Sequence, residues 1–209
     1  GQDVFVSKYT SSGSFEWVLT FGASGDETVT GLADSGDGGV LVTGEFRDSI
    51  TIQGTTLTSV GSDDVYLAKF DSNGLLAWAK SFGGTSADSS RGLASDETGN
   101  VFWSGSFLGT ASVGESTLTN AGNADAFVVK YDENGTLGWA KSFGGALSDH
   151  GSAISLDQRG QPYFAGSFQG TASFGTTALS SIGEEDIFLA KLHSDSGQVF
   201  WVKSSGGMG

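Results

Sequence analysis

The chain contains no cysteine, a single proline and only two histidines in 209 residues. Without thiols there is no disulfide framework, no thiolate metal site and no cysteine nucleophile. His150 and His193 fall in different parts of the sequence pattern, so neither a histidine-based triad nor a two-histidine metal site is indicated. Gly-x-Ser-x-Gly elbows and phosphate-binding Gly-x-x-x-x-Gly-Lys loops are missing too. No apolar run is long enough to cross a bilayer. Basic residues are scarce: 10 Lys and Arg against 24 Asp and Glu leave a net charge of −14. Phosphate backbones and anionic lipid repel such a chain, which argues against nucleic-acid partners and membrane insertion.

What is abundant is glycine, 34 residues without a Gly-X-Y period, the mark of many tight turns. The sequence also repeats itself. Asp3-Val-Phe-Val-Ser-Lys8 returns as Asp64-Val-Tyr-Leu-Ala-Lys69, Asp125-Ala-Phe-Val-Val-Lys130 and Asp186-Ile-Phe-Leu-Ala-Lys191, each 61 residues after the last. Trp17, Trp78 and Trp139 keep the same step, and Trp201 comes one residue late after a longer turn. Phe21, Phe82 and Phe143 follow four residues behind their tryptophans.

Within each repeat, short β-prone segments alternate with turn signals and no helical period appears. In the repeat after residue 90 these are Arg91–Ser95, Val101–Phe107, Ala126–Tyr131 and Leu137–Ser142, four strands (A to D) joined mainly by Asp-x-x-Gly turns. Both alternating faces of strand C are apolar, which requires neighbours above and below its sheet. Four-stranded antiparallel sheets repeated around an axis make an all-β fold, the β-propeller. The expected organisation is one repeat module over 1–209: a C–D half blade at 1–27, then blades at 28–89, 90–149 and 150–209. Three and a half blades do not close a ring, and Gly1-Gln2-Asp3 reads as the middle of a repeat. Both points suggest a piece of a longer propeller or a module completed by other chains. No signal sequence is present in this chain.

The stretches Gly99-Asn-Val-Phe-Trp-Ser-Gly-Ser-Phe107, Gly109-Thr-Ala-Ser-Val-Gly114, Asp125-Ala-Phe-Val-Val-Lys-Tyr131 and Trp139–Gly145 together resemble the SBBP-type propeller repeats of large secreted bacterial proteins. The resemblance implies a propeller and an extracellular or cell-surface setting, and it brings no catalytic set or cofactor. The Asp-x-x-Gly-x-x-x-Trp element of Asp71–Trp78 and Asp132–Trp139 also resembles the tryptophan-docking motif of quinoprotein propellers. There the indole packs between adjacent blades.

Candidate sites follow. Trp17, Trp78, Trp139 and Trp201 read as structural docks between blades, and Phe-Gly-Gly as the bend towards the next sheet. Trp103, out of step with those four, is the candidate ligand contact. The acidic turns invite calcium, and Asp34 with Asp37 is their best pair. One or two carboxylates per turn fall short of the six to eight oxygens that calcium takes. Asp3, Asp64, Asp125 and Asp186 are expected to accept hydrogen bonds from the loop before strand C. Asp26, Asp88 and Asp149 precede strand A; Asp88 and Asp149 are candidate ligand contacts and the carboxylates a glycoside hydrolase would need. The long B–C and D–A connections share one face, and binding resides on loops held by a rigid scaffold. The function these features suggest is a non-catalytic module for protein contact, adhesion or assembly, partnered by protein through those loops and the open blade edges. A carbohydrate-binding propeller is the alternative, and a hydrolase the third reading.

Overall fold

The computed structural model describes residues 1–208, and every regular element in it is a strand. A hairpin of β1 (Val4–Tyr9) and β2 (Phe15–Phe21) comes first. β3 (Gly31–Asp34) and β4 (Val40–Phe46) follow, then a small hairpin of β5 (Ser49–Ile52) and β6 (Thr55–Thr58), then β7 (Asp64–Phe70) and β8 (Leu76–Gly84). The next unit runs β9 (Ser89–Ser95), β10 (Val101–Phe107), the hairpin β11 (Thr110–Val113) with β12 (Ser116–Thr119), β13 (Asp125–Tyr131) and β14 (Leu137–Gly145). The last has β15 (Asp149–Leu156), β16 (Pro162–Phe174), β17 (Thr177–Leu192) and β18 (Val199–Ser205). Antiparallel pairing in the order β3-β4-β7-β8, β9-β10-β13-β14 and β15-β16-β17-β18 makes three four-stranded sheets. The protein is a partial β-propeller.

Its hydrophobic core lies between the blades. Among the described residues three buried clusters exist, one per seam. Val4, Val6 and Phe21 pack with Val42, Tyr66 and Phe70 at the first. Leu67 and Phe82 pack with Trp103, Phe127 and Val129 at the second. Val128, Trp139 and Phe143 pack with Phe164, Phe174 and Phe188 at the third. Strand C explains why both of its faces are apolar. Val65 and Leu67 of β7 look into the second seam, while Tyr66, Ala68 and Phe70 look back into the first.

The small hairpins in the B–C connections fasten each blade to the one before. β11 pairs with the end of β8 through Ala111↔Gly84, Ser112↔Gly83 and Val113↔Phe82. The outer part of β16, which forms the same hairpin with β17, pairs with β14 through Ser173↔Gly144 and Ala172↔Gly145. Around the first seam only one bridge forms, Gly22↔Thr51. The glycines thus carry each strand into pairing with the next blade. Strands β8 and β14 continue through Phe-Gly-Gly, where the clasp supplies a ladder partner.

Trp17, Trp78 and Trp139 each dock on the C–D turn of the next blade. The Asp71 Oδ1 accepts the Asn73 and Leu75 amides at 2.8 and 2.9 Å, and Gly74 takes φ 79°, so the turn is rigid. Trp17 lies 3.0 Å from where a Gly74 side chain would begin and donates Nε1–H to the Ser72 carbonyl at 3.0 Å. Trp78 does the same to Glu133 at 3.0 Å over Gly135, and Trp139 to Ser194 at 2.8 Å over Gly197. No turn stands beyond Trp201 among the described residues, and its ring packs edge-on to Tyr163. Trp78→Phe is expected to cost about 1 kcal/mol, the worth of the lost hydrogen bond. Trp201→Phe should cost less than about 0.5 kcal/mol, as at an ordinary surface position. Chemical denaturation of the two variants beside the parent checks both.

Candidate functional site: the carboxylate pairs in the seams

The least ordinary chemistry in the molecule is a pair of buried acids that recurs at the second and third seams, with one member of the first-seam counterpart, Asp3, exposed. Strand C begins with Asp64, whose Oδ2 accepts the Val60 amide at 3.1 Å, and Asp125 accepts Ala121 in the same way at 3.0 Å. Asp186 accepts Ile182 at 3.0 Å, so these three strand-C aspartates brace the preceding loop. The second acid comes from the D–A connection. Asp88 spans two strands, accepting Gly84 N–H on Oδ2 at 2.9 Å and Leu108 N–H on Oδ1 at 3.2 Å. Asp149 repeats this with Gly145 at 2.7 Å and Gln169 at 3.3 Å.

The two acids meet across a glycine. A methyl group placed on Gly144 would lie 2.5 Å from Asp125 Oδ1 and 2.8 Å from Asp149 Oδ2. The same point on Gly83 is filled by the Asp64 carboxyl. At the first seam Gly22 faces Asp3 and Glu27. Glu27, whose Oε2 accepts the Ala23 amide at 3.0 Å, therefore holds the place of Asp88 and Asp149. Asp26 does not; it accepts the Gln2 amide at 2.9 Å. Counting from the glycines would have found this, since Glu27, Asp88 and Asp149 each stand five residues after Gly22, Gly83 and Gly144.

Burial dominates the electrostatics of these pairs. It pushes Asp88 up to about 7, against the pull of its two amide donors and with a further push from Asp64. Burial likewise raises Asp64 to about 6 and Asp149 to about 6, the latter also feeling Asp125. Asp125 is raised by the same cause. Buried oxygens of Asp64, Asp125 and Asp186 (Oδ1 in each) and Oε1 of Glu27 lack a hydrogen-bond partner.

Several expectations are corrected here. Asp88 and Asp149 are 3% and 1% exposed and belong to different seams, so they form neither a catalytic pair nor a ligand contact. Trp103 is enclosed between Phe82, Phe107 and Phe127 with no exposed surface, which removes it as a ligand contact and takes its residue from the carbohydrate reading. Asp37 does not wait for calcium. Its Oδ2 pairs with Lys69 Nζ at 2.9 Å and its Oδ1 accepts the Ser35 hydroxyl, and these partners, the serine foremost, lower it to about 2. Asp34 caps its own turn by accepting the Gly36 amide at 2.7 Å. Among the described residues no three acidic or histidine side chains gather as a metal site.

The loop face is also more occupied than the sequence implied. Asp88 N–H donates to the Asp63 carbonyl and Asp149 N–H to the Ala124 carbonyl, each at 2.7 Å, so the B–C and D–A loops are tied together. Surfaces left open lie elsewhere. The first hairpin exposes Phe5, Tyr9, Phe15 and Val18. On the last blade Ile187 and Leu189 are 61% and 42% exposed, where their counterparts Ala126 and Val128 are fully buried. These two residues line a shallow groove of about 610 Å³ with Ala165, Gly166, Phe188 and Lys203.

No family model matches the chain. It is similar to an uncharacterized WD repeat-containing protein, L264, of Acanthamoeba polyphaga mimivirus, with 29% identity over 126 residues. That match covers 52% of this chain and 9% of the viral protein. It is also similar to the regulatory protein FlaEY of Caulobacter vibrioides, with 28% identity over 139 residues, or 65% of this chain and 14% of that one. The chain thus spans a small fraction of either relative. With the fold, the first likeness describes a propeller-like repeat protein.

Proposed function

We propose that the chain is a non-catalytic interaction module of a larger bacterial repeat protein, working at the cell surface or outside the cell. The observation that carries this reading is the fate of the repeated polar and aromatic groups. Three of the four repeated tryptophans, Asp88, Asp149 and the clasp hairpins are all spent on holding blades together, while apolar surface is left open at Phe5, Tyr9, Ile187 and Leu189. Exposed apolar patches mark contact surfaces. The likeness to a WD repeat-containing protein supports an interacting repeat. The resemblance to SBBP-type repeats supports the extracellular, bacterial setting.

In its assembly form the reading predicts association between copies. Sedimentation over a wide concentration range should show a mass that rises above one chain. Ile187→Asp combined with Leu189→Asp should return it to a single chain without moving the unfolding midpoint. A parent chain that stays monomeric throughout sinks the assembly form.

A further inference from the structure

We infer that each complete carboxylate pair shares one proton, and that the blade seams are thereby latched in mild acid and loosened as the medium approaches neutrality. The geometry forces the question. Asp88 and Asp149 have both oxygens occupied by backbone N–H donors, so they are held as acceptors. Asp125 flanks the same Gly144 point as Asp149, and Asp64 lies near enough to Asp88 to raise it; each has one oxygen satisfied and Oδ1 buried without a partner. Two acceptors facing each other in a seam that is 1% to 3% exposed repel if both are charged. A proton on Oδ1 of Asp64 or Asp125 turns that orphan acceptor into the donor that the neighbouring carboxylate needs. The arrangement occurs twice in full, and Asp3 with Glu27 repeats the juxtaposition at the first seam.

The surroundings supply little to keep both acids charged. On the loop before strand C, Asp63 adds negative charge beside Asp64, and its own carboxylate is taken by Arg47 at 2.8 Å. Glu45 on β4 and Arg91 on β9 face each other across the same seam. Next to Asp149, His150 turns its Nδ1 to the Ser106 hydroxyl at 3.3 Å. Asn123 and Ser148 bond each other on the neighbouring loops, and Gln169 brings only its backbone amide to Asp149. Neither pair makes a salt bridge among the described residues.

The direction with pH follows from the raised values. An unfolded aspartate titrates near 4. Burial raises Asp64 and Asp149 to about 6 and Asp88 to about 7, so each pair keeps its one proton up to about 6 to 7. The folded state therefore binds more protons between those limits, and its stability falls as pH rises from about 4 towards 7 and levels off above. Asp37 and Asp157, lowered to about 2 by hydrogen bonds from Ser35 and Lys191 respectively, act in the opposite sense only in strong acid.

The direct test is a carboxyl carbon titration of the intact chain by NMR, joined to amide exchange at Gly84 and Gly145 at pH 5 and pH 8. After correction for intrinsic rates, Gly145 should open about tenfold and Gly84 about a hundredfold more often at pH 8, because the raised values stand about one and two units above pH 5. Asp64→Asn with Asp125→Asn replaces the shared proton by a permanent N–H donor. That variant should match the parent at pH 5, exceed its protection at pH 8 and lose the pH dependence. Four aspartates titrating near 4 overturn the proposal. So does an asparagine variant weakened equally at both pH values. If the variant fails to fold, the carbon titration of the parent still decides.

Discussion

Gly145→Ala is expected to make the chain easier to unfold by about 3 kcal/mol, the sum of overpacking and lost ladder bonds. For a domain of this size the melting midpoint should fall by about 6–12 °C. The cost is steric. A side chain on Gly145 would overlap the carbonyl oxygen of Thr171, part of the clasp that pairs Ala172 with Gly145. Backbone cannot rotate away as a flexible side chain can, so the hairpin must lift. The molecule contains its own control. The position of Gly84 and Gly145 is held by Ala23 at the first seam, and there the clasp is reduced to the single Gly22↔Thr51 bridge. The alanine variant should convert the third seam to that looser kind, with exchange protection lost first along Thr171–Phe174. Ala23→Gly should do the reverse and lengthen the pairing around Thr51. Because a stack of repeats can open seam by seam, denaturation is best followed by several probes. A Gly145→Ala midpoint equal to the parent's would mean that the clasp steps aside freely.

The repeat made much of this architecture readable. Period, strand order and the double-faced strand C follow from the spacing of Asp64, Lys69, Trp78 and Phe82 against their copies, because a seam imposes the same packing each time. The docking partner of each tryptophan lies in the next copy of a turn already visible as Asp-x-x-Gly. Other features turn on contacts between segments far apart in the chain, and spacing does not report those. Lys69 neutralises Asp37 from a strand 32 residues away, and nothing in the acidic turn announces it. The two glycines after Phe82 look interchangeable, yet one makes room for the Asp64 carboxyl and the other for the Thr110 carbonyl. Trp103 is out of step with the other tryptophans. Aligned instead on Gly44, Gly105 and Gly166, it shares its position with Val42 and Phe164, both fully buried.

That alignment sets the second large effect. Trp103→Ala should destabilise the chain by about 3–5 kcal/mol, the range for emptying a buried aromatic site. The ring sits 5.7 Å from Phe127 and 6.2 Å from Phe82, edge to face with both, at the centre of the second seam. Strands from two blades border the void, so collapse would have to move whole sheets, and little of the loss can be recovered. Trp103→Phe should behave quite differently. The indole Nε1 is buried without an acceptor, an omission that itself costs about 1–3 kcal/mol. Phenylalanine removes that orphan donor and keeps most of the contact, and Phe164 shows that the fold accepts it at this position. Its net effect should stay within about 1.5 kcal/mol, as for a core swap that nearly conserves volume. Urea midpoints for the two variants separate packing from polarity at one site. If phenylalanine proved as damaging as alanine, the indole nitrogen would have to be making a contact that holds the seam, and Trp103 would be a polar anchor as well as a core residue.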